Sequence, residues 1–221
     1  MDFTWALPYP DLHKICTLFS RTDLVNPLKW QYTPLLGYLQ NGPQCGLVAL
    51  AILMDQPSKE LVDTIFKYAQ NMGFSHNGEI FSTNFMYSLA KEFIRDKDIK
   101  IYNGNLESQE IVDVLLNKGK LLIPYDTNKD NSPGLHGGHK AHWCVVSGVI
   151  QTQDDVFVIA RHGKAKNVAI WNLKDLAQSN LQLFEFSPDR KLQDLKYKLP
   201  EGGIAGALGL NRQSVLICDT H

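Results

Sequence analysis

The chain has 221 residues, of which 44% are hydrophobic and 20% are charged, and its formal net charge at pH 7 is −1. This composition predicts one globular domain with a sizeable core, and the balanced charge offers no electrostatic footprint for nucleic acid. The start of the chain does not resemble a signal peptide, and the longest apolar run is too short to cross a bilayer. We therefore expect a cytoplasmic protein with neither a nucleic-acid partner nor a membrane partner.

The predicted elements change in character near residue 120. A segment rich in proline, tryptophan and tyrosine occupies residues 1–38. The region 39–120 then contains four apolar patterns of helical period, the first of which begins at Cys45 and ends near Met54. The later helices are bounded by N-cap hydroxyl residues and by glycines at their C-terminal ends, namely Ser58, Ser82 or Thr83, Gly73 and Gly119.

The region 121–221 is predicted to be mainly β. Helices followed by strands predict an α+β fold, in which the helix that begins at Cys45 packs with its neighbours against an antiparallel sheet. We find no repeat or linker, so residues 1–221 are expected to form a single domain. The predicted strands are KLLIPYD, AHWCVVSGVIQ, DVFVIARHG, NVAIWNL, LQLFEFS and SVLICD.

Cys45 is the cysteine whose position indicates chemistry. Cys16, Cys144 and Cys218 lie in apolar runs, which is typical of small buried side chains, and no CxxC pair indicates a disulfide framework. Cys45 instead follows the turn NGPQ at a helix start, where free N–H groups and the macrodipole favour a thiolate. Gly46 beside it is expected to let a substrate backbone approach without a Cβ clash.

His142 is the candidate base for this thiol. It follows a glycine-rich loop and starts a predicted strand, so it can meet a cysteine at the head of a helix across a cleft. His136, His139 and His142 are evenly spaced, but this spacing does not converge on a metal ion where a loop enters a strand. We therefore expect neither a metal site nor another cofactor.

Two further parts of a thiol active site have several candidates. An oxyanion hole should combine the Cys45 backbone N–H with a side-chain amide upstream. Gln40 and Gln44 both qualify, and we slightly favour Gln40 because it can reach round the turn. The group that orients the imidazole stays open among His162, Asn167 and Asp126, and Asp126 is also a candidate for substrate contact.

The motifs GPQCGLVALAIL, LLIPYD, GHKAHWCVVSGV and EGGIAGALGLNRQSVLI together resemble the actin maturation proteases, which are papain-like cysteine peptidases related to the bacteriocin-processing peptidases. The resemblance extends from about Leu39 to the C-terminus. It implies a papain-like fold and a cytosolic aminopeptidase that removes the acetylated first residue, methionine or cysteine, from immature actin. Cys45 matches the nucleophile and His142 the base. Where bacteriocin-processing peptidases have an aspartate, this sequence has Ala160, Arg161 and His162.

The resemblance also implies a substrate whose first residue precedes an acidic cluster, so a basic cleft is expected. The actin N-terminal tail is the expected partner. Profilin is a second candidate, although the sequence shows no proline-rich N-terminal extension of the kind that family members use to contact it. The candidate basic residues are Lys140, Arg161, Lys164 and Lys166.

Three other functions stay open from the residues alone. A papain-like transferase, such as a peptide ligase, would use the same dyad and differ in what deacylates the thioester. An isopeptidase for ubiquitin-like modifiers would need an exposed apolar surface for its protein partner. A pseudo-peptidase that acts as a binding module would fit the missing aspartate and would show no hyper-reactive Cys45.

Overall fold

The computed structural model describes residues 2–192 and 194–220, which contain seven α-helices and eight β-strands. The helices are α1 Pro10–Leu18, α2 Cys45–Leu53, α3 Lys59–Asn71, α4 Thr83–Phe93, α5 Gln109–Leu116, α6 Leu173–Leu181 and α7 Pro188–Lys191. The strands are β1 Lys29–Tyr32, β2 Lys97–Asn103, β3 Lys120–Thr127, β4 Pro133–Gly134, β5 Ala141–Gln151, β6 Val156–His162, β7 Ala169–Asn172 and β8 Gln213–Asp219.

The strands form one sheet in which all neighbours are antiparallel. The order is β2-β8-β3-β5-β6-β7, with β1 added to β5 and β4 added to β3. The long strand β5 pairs with β3 through Ala141–Val146 and with β1 through Gly148–Gln151. Helices combined with an antiparallel sheet in this way are consistent with the predicted α+β class.

Helices cover both faces of the sheet, because successive side chains of a strand point to opposite sides. Trp143 and Val145 of β5 belong to the same buried cluster as α2, α3 and α4. Cys144 and Val146 belong to a second cluster that includes α5 and α6. Every residue of α2 after Cys45 is buried, as expected of a helix that is apolar on all sides, so its N-terminus is held in a fixed position on the sheet.

The N-terminal segment forms a third core of its own against the sheet. Phe3, Trp5 and Leu12 pack with Ile150 of β5 and Phe157 of β6. The Trp5 indole N–H also donates a 2.7 Å hydrogen bond to the Leu24 carbonyl. The first part of the chain is therefore integral to the folded unit.

Several predicted elements are confirmed. The helix that carries the candidate nucleophile begins at Cys45, and the side chains of Ser58 and Ser82 cap the next two helices. Gly73 ends α3 with a φ of +70°, the left-handed conformation that glycine adopts readily. Five of the six predicted strands are present, as β3, β5, β6, β7 and β8.

Two local predictions are wrong. LQLFEFS forms no strand, because the N–H groups of Phe184 and Glu185 donate to the Gly137 carbonyl and so fix this segment against a loop. Gly119 is not the C-cap of α5, since Asn117 takes that position and Lys118 adopts the left-handed φ of +65°. Helices α1, α6 and α7 and strands β1, β2 and β4 have no counterpart among the predicted elements.

Among the described residues, none of the helices combines the length and the apolar character required to cross a bilayer.

Cys144 and Cys218 should differ in their contribution to stability. Cys144 is fully buried in the sheet, whereas Cys218 lies near the C-terminal end of β8 and is partly exposed. Cys144→Ala should therefore lower the free energy of unfolding by about 1–2 kcal/mol, and Cys218→Ala by less than about 0.5 kcal/mol. Urea unfolding of both variants measures the difference, and equal losses would contradict the burial argument.

Candidate active site

One cleft brings together residues from both halves of the chain. Its volume is about 400 Å³, within the range of pockets that hold small ligands. Cys45, His142 and Gln40 all line it. The remaining lining residues are Pro43, Glu79, Ile80, Phe81, Thr127, Asn128, Lys129, Asn131, His139, Lys140, Ala141, Trp143, Lys164 and Arg190.

Cys45 occupies the first position of α2, and its thiol faces the beginning of β5. The backbone N–H groups of Trp143 and Gly46 donate hydrogen bonds to the sulfur. Trp143 directly follows His142 in the strand, so this contact joins the helix that carries the thiol to the strand that carries the imidazole. Gly46 itself is buried, and a Cβ added there would lie 2.9 Å from Met86 Cε, so its backbone serves packing at this point.

The thiol and the imidazole are both driven towards their neutral forms by burial. Burial raises the pKa of Cys45, although the two backbone N–H groups and the positive charges of Arg190 and Lys164 act in the opposite direction. Burial also lowers the pKa of His142 well below its usual value, helped by Lys164, His162 and Arg190. The Gly46 backbone N–H at the helix start lowers the thiol pKa, but burial outweighs it, so the pKa of Cys45 is raised and not lowered as the sequence predicted.

His142 sits among aromatic side chains, and no carboxylate of the described residues contacts its ring. Its Nε2 atom is buried and has no hydrogen-bond partner within the described part of the chain. Edge-to-face contacts join its ring to Tyr125 at 5.7 Å and to His162 at 5.8 Å between ring centroids. His162 in turn stacks on Trp171 at 5.7 Å. The ring orientation of His142 is therefore fixed by packing.

His162 is the one of the three candidate orienting groups that contacts His142. Its Nδ1 accepts a 3.2 Å hydrogen bond from the Lys164 N–H, which assigns the proton of the neutral ring to Nε2. Burial lowers the pKa of His162 from 6.5 to about 4, and Lys164 adds to this effect. The ring therefore stays neutral near pH 7. Asn167 is exposed on the following loop.

Asp126 lies beneath the cleft wall as the anchor of the loop that precedes His142. Its buried carboxylate accepts hydrogen bonds from the backbone N–H groups of His136, Gly138 and Lys140 at 2.7–2.9 Å. The Gln182 amide adds a fourth bond at 2.8 Å. With four donors and no exposure, Asp126 holds the loop in place and is not available to a substrate or to His142.

The structure separates the two glutamines that were considered for the oxyanion hole. Gln40 lines the cleft, and its backbone N–H donates to the Gly163 carbonyl at 2.7 Å. Its side-chain N–H₂ group donates to the Gly42 carbonyl at 2.8 Å, which leaves one hydrogen of that group for a ligand. Gln44 instead packs against Gly78, where an added Cβ would lie 2.8 Å from its Cγ. The geometry favours Gln40.

The predicted basic residues divide into two groups. Lys140 and Lys164 line the cleft. Arg161 is buried elsewhere, where it donates to Asp11 at 2.9 Å and to the carbonyl of Lys166 at 2.6 Å. Lys166 is exposed outside the cleft lining.

Two cleft cations were not found in the sequence. Lys129 lies in the polar turn between β3 and β4, and Arg190 lies in the short helix α7. Neither has a local sequence signal, since a turn lysine and a surface arginine are common everywhere. Only the tertiary structure brings them to the cleft that holds Cys45.

The three evenly spaced histidines do not converge. His136 bonds to Asn128 at 2.9 Å and His139 to Glu185 at 3.1 Å, while His142 faces the aromatic side chains. Among the described residues there is no group of three or more His, Cys, Asp or Glu residues arranged to hold a metal ion.

A cleft that holds a thiol at a helix N-terminus and an imidazole on a sheet strand is typical of enzymes that transfer acyl groups through cysteine. The sequence profile described as "Actin maturation protease-like, C-terminal domain" matches residues 35–150. The chain belongs to this actin maturation protease family.

Individual relatives support the same assignment over most of the chain. The actin maturation protease of Drosophila melanogaster is 36% identical over 218 residues, which cover 98% of this chain and 81% of the relative. The protein of that name from Danio rerio is 32% identical over 82% of this chain and 73% of its own length. The protein of that name from Homo sapiens is 30% identical over 81% of this chain and 62% of its own length.

Buried His162 should make stability depend on pH. Its folded pKa of about 4 lies below the unfolded value of 6.5, so the unfolded state binds a proton that the folded state excludes. Stability is therefore fully present above pH 6.5 and is lost as the pH falls towards 4, by about 3 kcal/mol for this residue. Denaturant unfolding at several pH values across this range measures the slope.

His162→Gln should make that slope shallower, with the remaining slope due largely to His142, which contributes in the same direction. The control is His76→Gln at an exposed position, which should keep the wild-type slope. An unchanged slope in His162→Gln would show that the ring titrates normally in the folded state.

Proposed function

We propose that this protein is a papain-like cysteine aminopeptidase of the cytoplasm that removes the N-terminal acetylated methionine or cysteine from immature actin. The observation that carries the proposal is that Cys45 and His142 line one cleft, with a hydrogen bond to the thiol from the residue after His142. The relatives supply the substrate, since they are named for actin maturation. Profilin stays a second candidate partner, and the cleft offers no argument for or against it.

Acylation starts from a neutral Cys45 thiol and a neutral His142 imidazole. His142 takes the thiol proton as the sulfur of Cys45 attacks the carbonyl carbon of the substrate's first residue. The resulting oxyanion accepts hydrogen bonds from the Cys45 backbone N–H, which has no partner within the helix, and from the remaining N–H of Gln40. The C–N bond then breaks as His142 returns the proton to the leaving amine, which is the new N-terminus of the shortened chain.

Deacylation uses the same groups in reverse order. His142 takes a proton from a water molecule as its oxygen attacks the thioester carbonyl, and the same oxyanion donors stabilise the second tetrahedral intermediate. Collapse of that intermediate breaks the C–S bond and releases the N-acetylated amino acid. The proton then returns from His142 to the sulfur of Cys45. The contacts with Tyr125 and His162 hold the imidazole in place through both steps.

The charge of the cleft supports an acidic substrate tail. The cleft is lined by the cations Lys129, Lys140, Lys164 and Arg190. Among the described lining residues Glu79 is the one carboxylate, and it lies 3.6 Å from Arg190. A substrate with acidic residues after its first residue gains long-range attraction and weak ion pairs in such a cleft.

Loss of the thiol or of the imidazole should remove activity. Purified variants are incubated with an acetyl-Met-Asp-Asp-Asp peptide, and the products are identified by mass. Cys45→Ala should lower kcat/KM by about 10³-fold or more, and His142→Ala by about 10²- to 10⁴-fold. His142→Ala should also slow alkylation of Cys45 by iodoacetamide near neutral pH.

Cys218→Ala is the matched control and should keep wild-type activity, because this thiol lies outside the cleft lining. Activity retained by Cys45→Ala would refute the proposed nucleophile. A wild-type protein that binds the peptide without cleaving it would support the binding-module hypothesis, and a ligated product would support the transferase.

Cleft lysines should favour acidic substrates. Lys129→Ser and Lys140→Ser should each lower the ratio of kcat/KM for acetyl-Met-Asp-Asp-Asp to that for acetyl-Met-Ala-Ala-Ala by about twofold to fivefold. The preference of the wild type should also weaken as salt increases, because exposed charges are screened. Lys166→Ser, which lies outside the cleft lining, is the control and should leave the ratio unchanged. Equal salt dependence for the two peptides would leave these lysines without a role in selection.

A further inference from the structure

An ion pair joins two separate segments at the cleft. Nη1 of Arg190, in α7, lies 3.6 Å from Oε1 of Glu79, which belongs to the segment between α3 and α4. Both residues line the cleft. The Glu79 side chain is 10% exposed and that of Arg190 27%, so the pair is largely shielded from solvent.

Aromatic rings hold the arginine in this position. Its guanidinium lies 5.2 Å from the ring centroid of Phe81 and 6.0 Å from that of Tyr197. Phe81 is buried and also meets Tyr197 edge to face. Two rings and a carboxylate therefore hold the long Arg190 side chain in one position. The immobilised side chain can act as part of the cleft wall, whereas a freely moving one could not.

We propose that the Glu79–Arg190 pair closes one end of the cleft and so restricts cleavage to the first residue of a chain. This inference deepens the proposed function and rests on it. A peptidase with an open cleft accommodates several residues on the acyl side of the scissile bond, whereas a closed end leaves room for one acetylated residue.

Charge and polarity indicate which end is closed. Near the pair the cleft is lined by Ile80, Phe81 and Trp143, an apolar surface that suits a methionine side chain, and the Glu79 charge is offset by Arg190. Lys129 and Lys140 are exposed and come from other segments of the lining. Arg190 is already paired with Glu79, whereas Lys129 and Lys140 are exposed to an acidic tail on the leaving-group side, so we assign the pair to the acyl side.

The test compares a short peptide with an extended one. Wild-type protein should cleave acetyl-Met-Asp-Asp-Asp after methionine and should cleave acetyl-Ala-Ala-Met-Asp-Asp-Asp poorly at the same bond. Arg190→Ala should raise the ratio of kcat/KM for the extended peptide to that for the short one by at least about tenfold. Glu79→Gln should change the ratio in the same direction.

One control variant and one stability measurement separate closure from general damage. Lys191→Ala changes a neighbouring cation of α7 that pairs with Glu185 at 3.8 Å, and it should leave the ratio unchanged. Urea unfolding shows whether Arg190→Ala and Glu79→Gln are folded, and the conservative Glu79→Gln carries the test if Arg190→Ala is unstable. An unchanged ratio in a folded variant of either residue would overturn the proposal.

Alkylation tests the closure without requiring hydrolysis. Chloromethyl ketones of acetyl-Met and acetyl-Ala-Ala-Met form a thioether with the Cys45 sulfur as chloride leaves. Arg190→Ala should speed labelling by the extended reagent relative to the short one, and equal relative rates in the two proteins would overturn the proposal. If wild-type protein hydrolyses neither peptide but labelling shows this change, the proposed peptidase function fails while the closed end stands.

Discussion

Trp143 is the residue on which the geometry of the cleft depends. Its backbone N–H meets the Cys45 sulfur, its ring packs against the α2 backbone at Gly46, and its indole N–H donates a 2.8 Å bond to the Ile80 carbonyl. This one residue of β5 therefore links the strand that carries His142 to helix α2 and to the segment that carries Glu79 and Ile80. Because it is buried, these three parts cannot move apart without opening the core.

The environment of the pair favours a neutral thiol and a neutral imidazole, with cations nearby. Positive charge near His142 opposes its protonation, and positive charge near Cys45 favours the thiolate. The same two cations, Lys164 and Arg190, act on both groups, so a change in their surroundings affects the thiol and the imidazole together.

The sequence predicted the parts of the molecule whose signals are local. The turn before Cys45, the apolar run after it and the glycine-rich loop before His142 are each visible within a dozen residues. The capping residues Ser58 and Ser82 were equally visible, because a cap depends on only a few neighbouring positions.

Helices α1 and α6 were missed despite local signals at their starts, but much else that the sequence missed depends on distant partners. Strand β2 carries lysines and aspartate and is recognisable only from its pairing with β8, more than a hundred residues later. Arg190 and Glu79 are ordinary surface residue types until the fold places them 3.6 Å apart. The role of Asp126 had a sequence signal. An aspartate at the end of an apolar strand, followed by a loop that contains GLHGGHK, is suited to accept hydrogen bonds from the backbone N–H groups of that loop.

The packing of the N-terminal segment bears on where a functional fragment of this protein can begin. The family profile matches from residue 35, but Phe3, Trp5 and Leu12 cover Ile150 and Phe157 of the central strands. A fragment that began at residue 35 would also lack Asp11, which accepts a hydrogen bond from buried Arg161. It would lack strand β1 as well, which pairs with β5. It would expose an apolar sheet surface and an unpaired strand edge together, which is the combination that promotes aggregation. The start of the family profile and the folding boundary of this protein are therefore different.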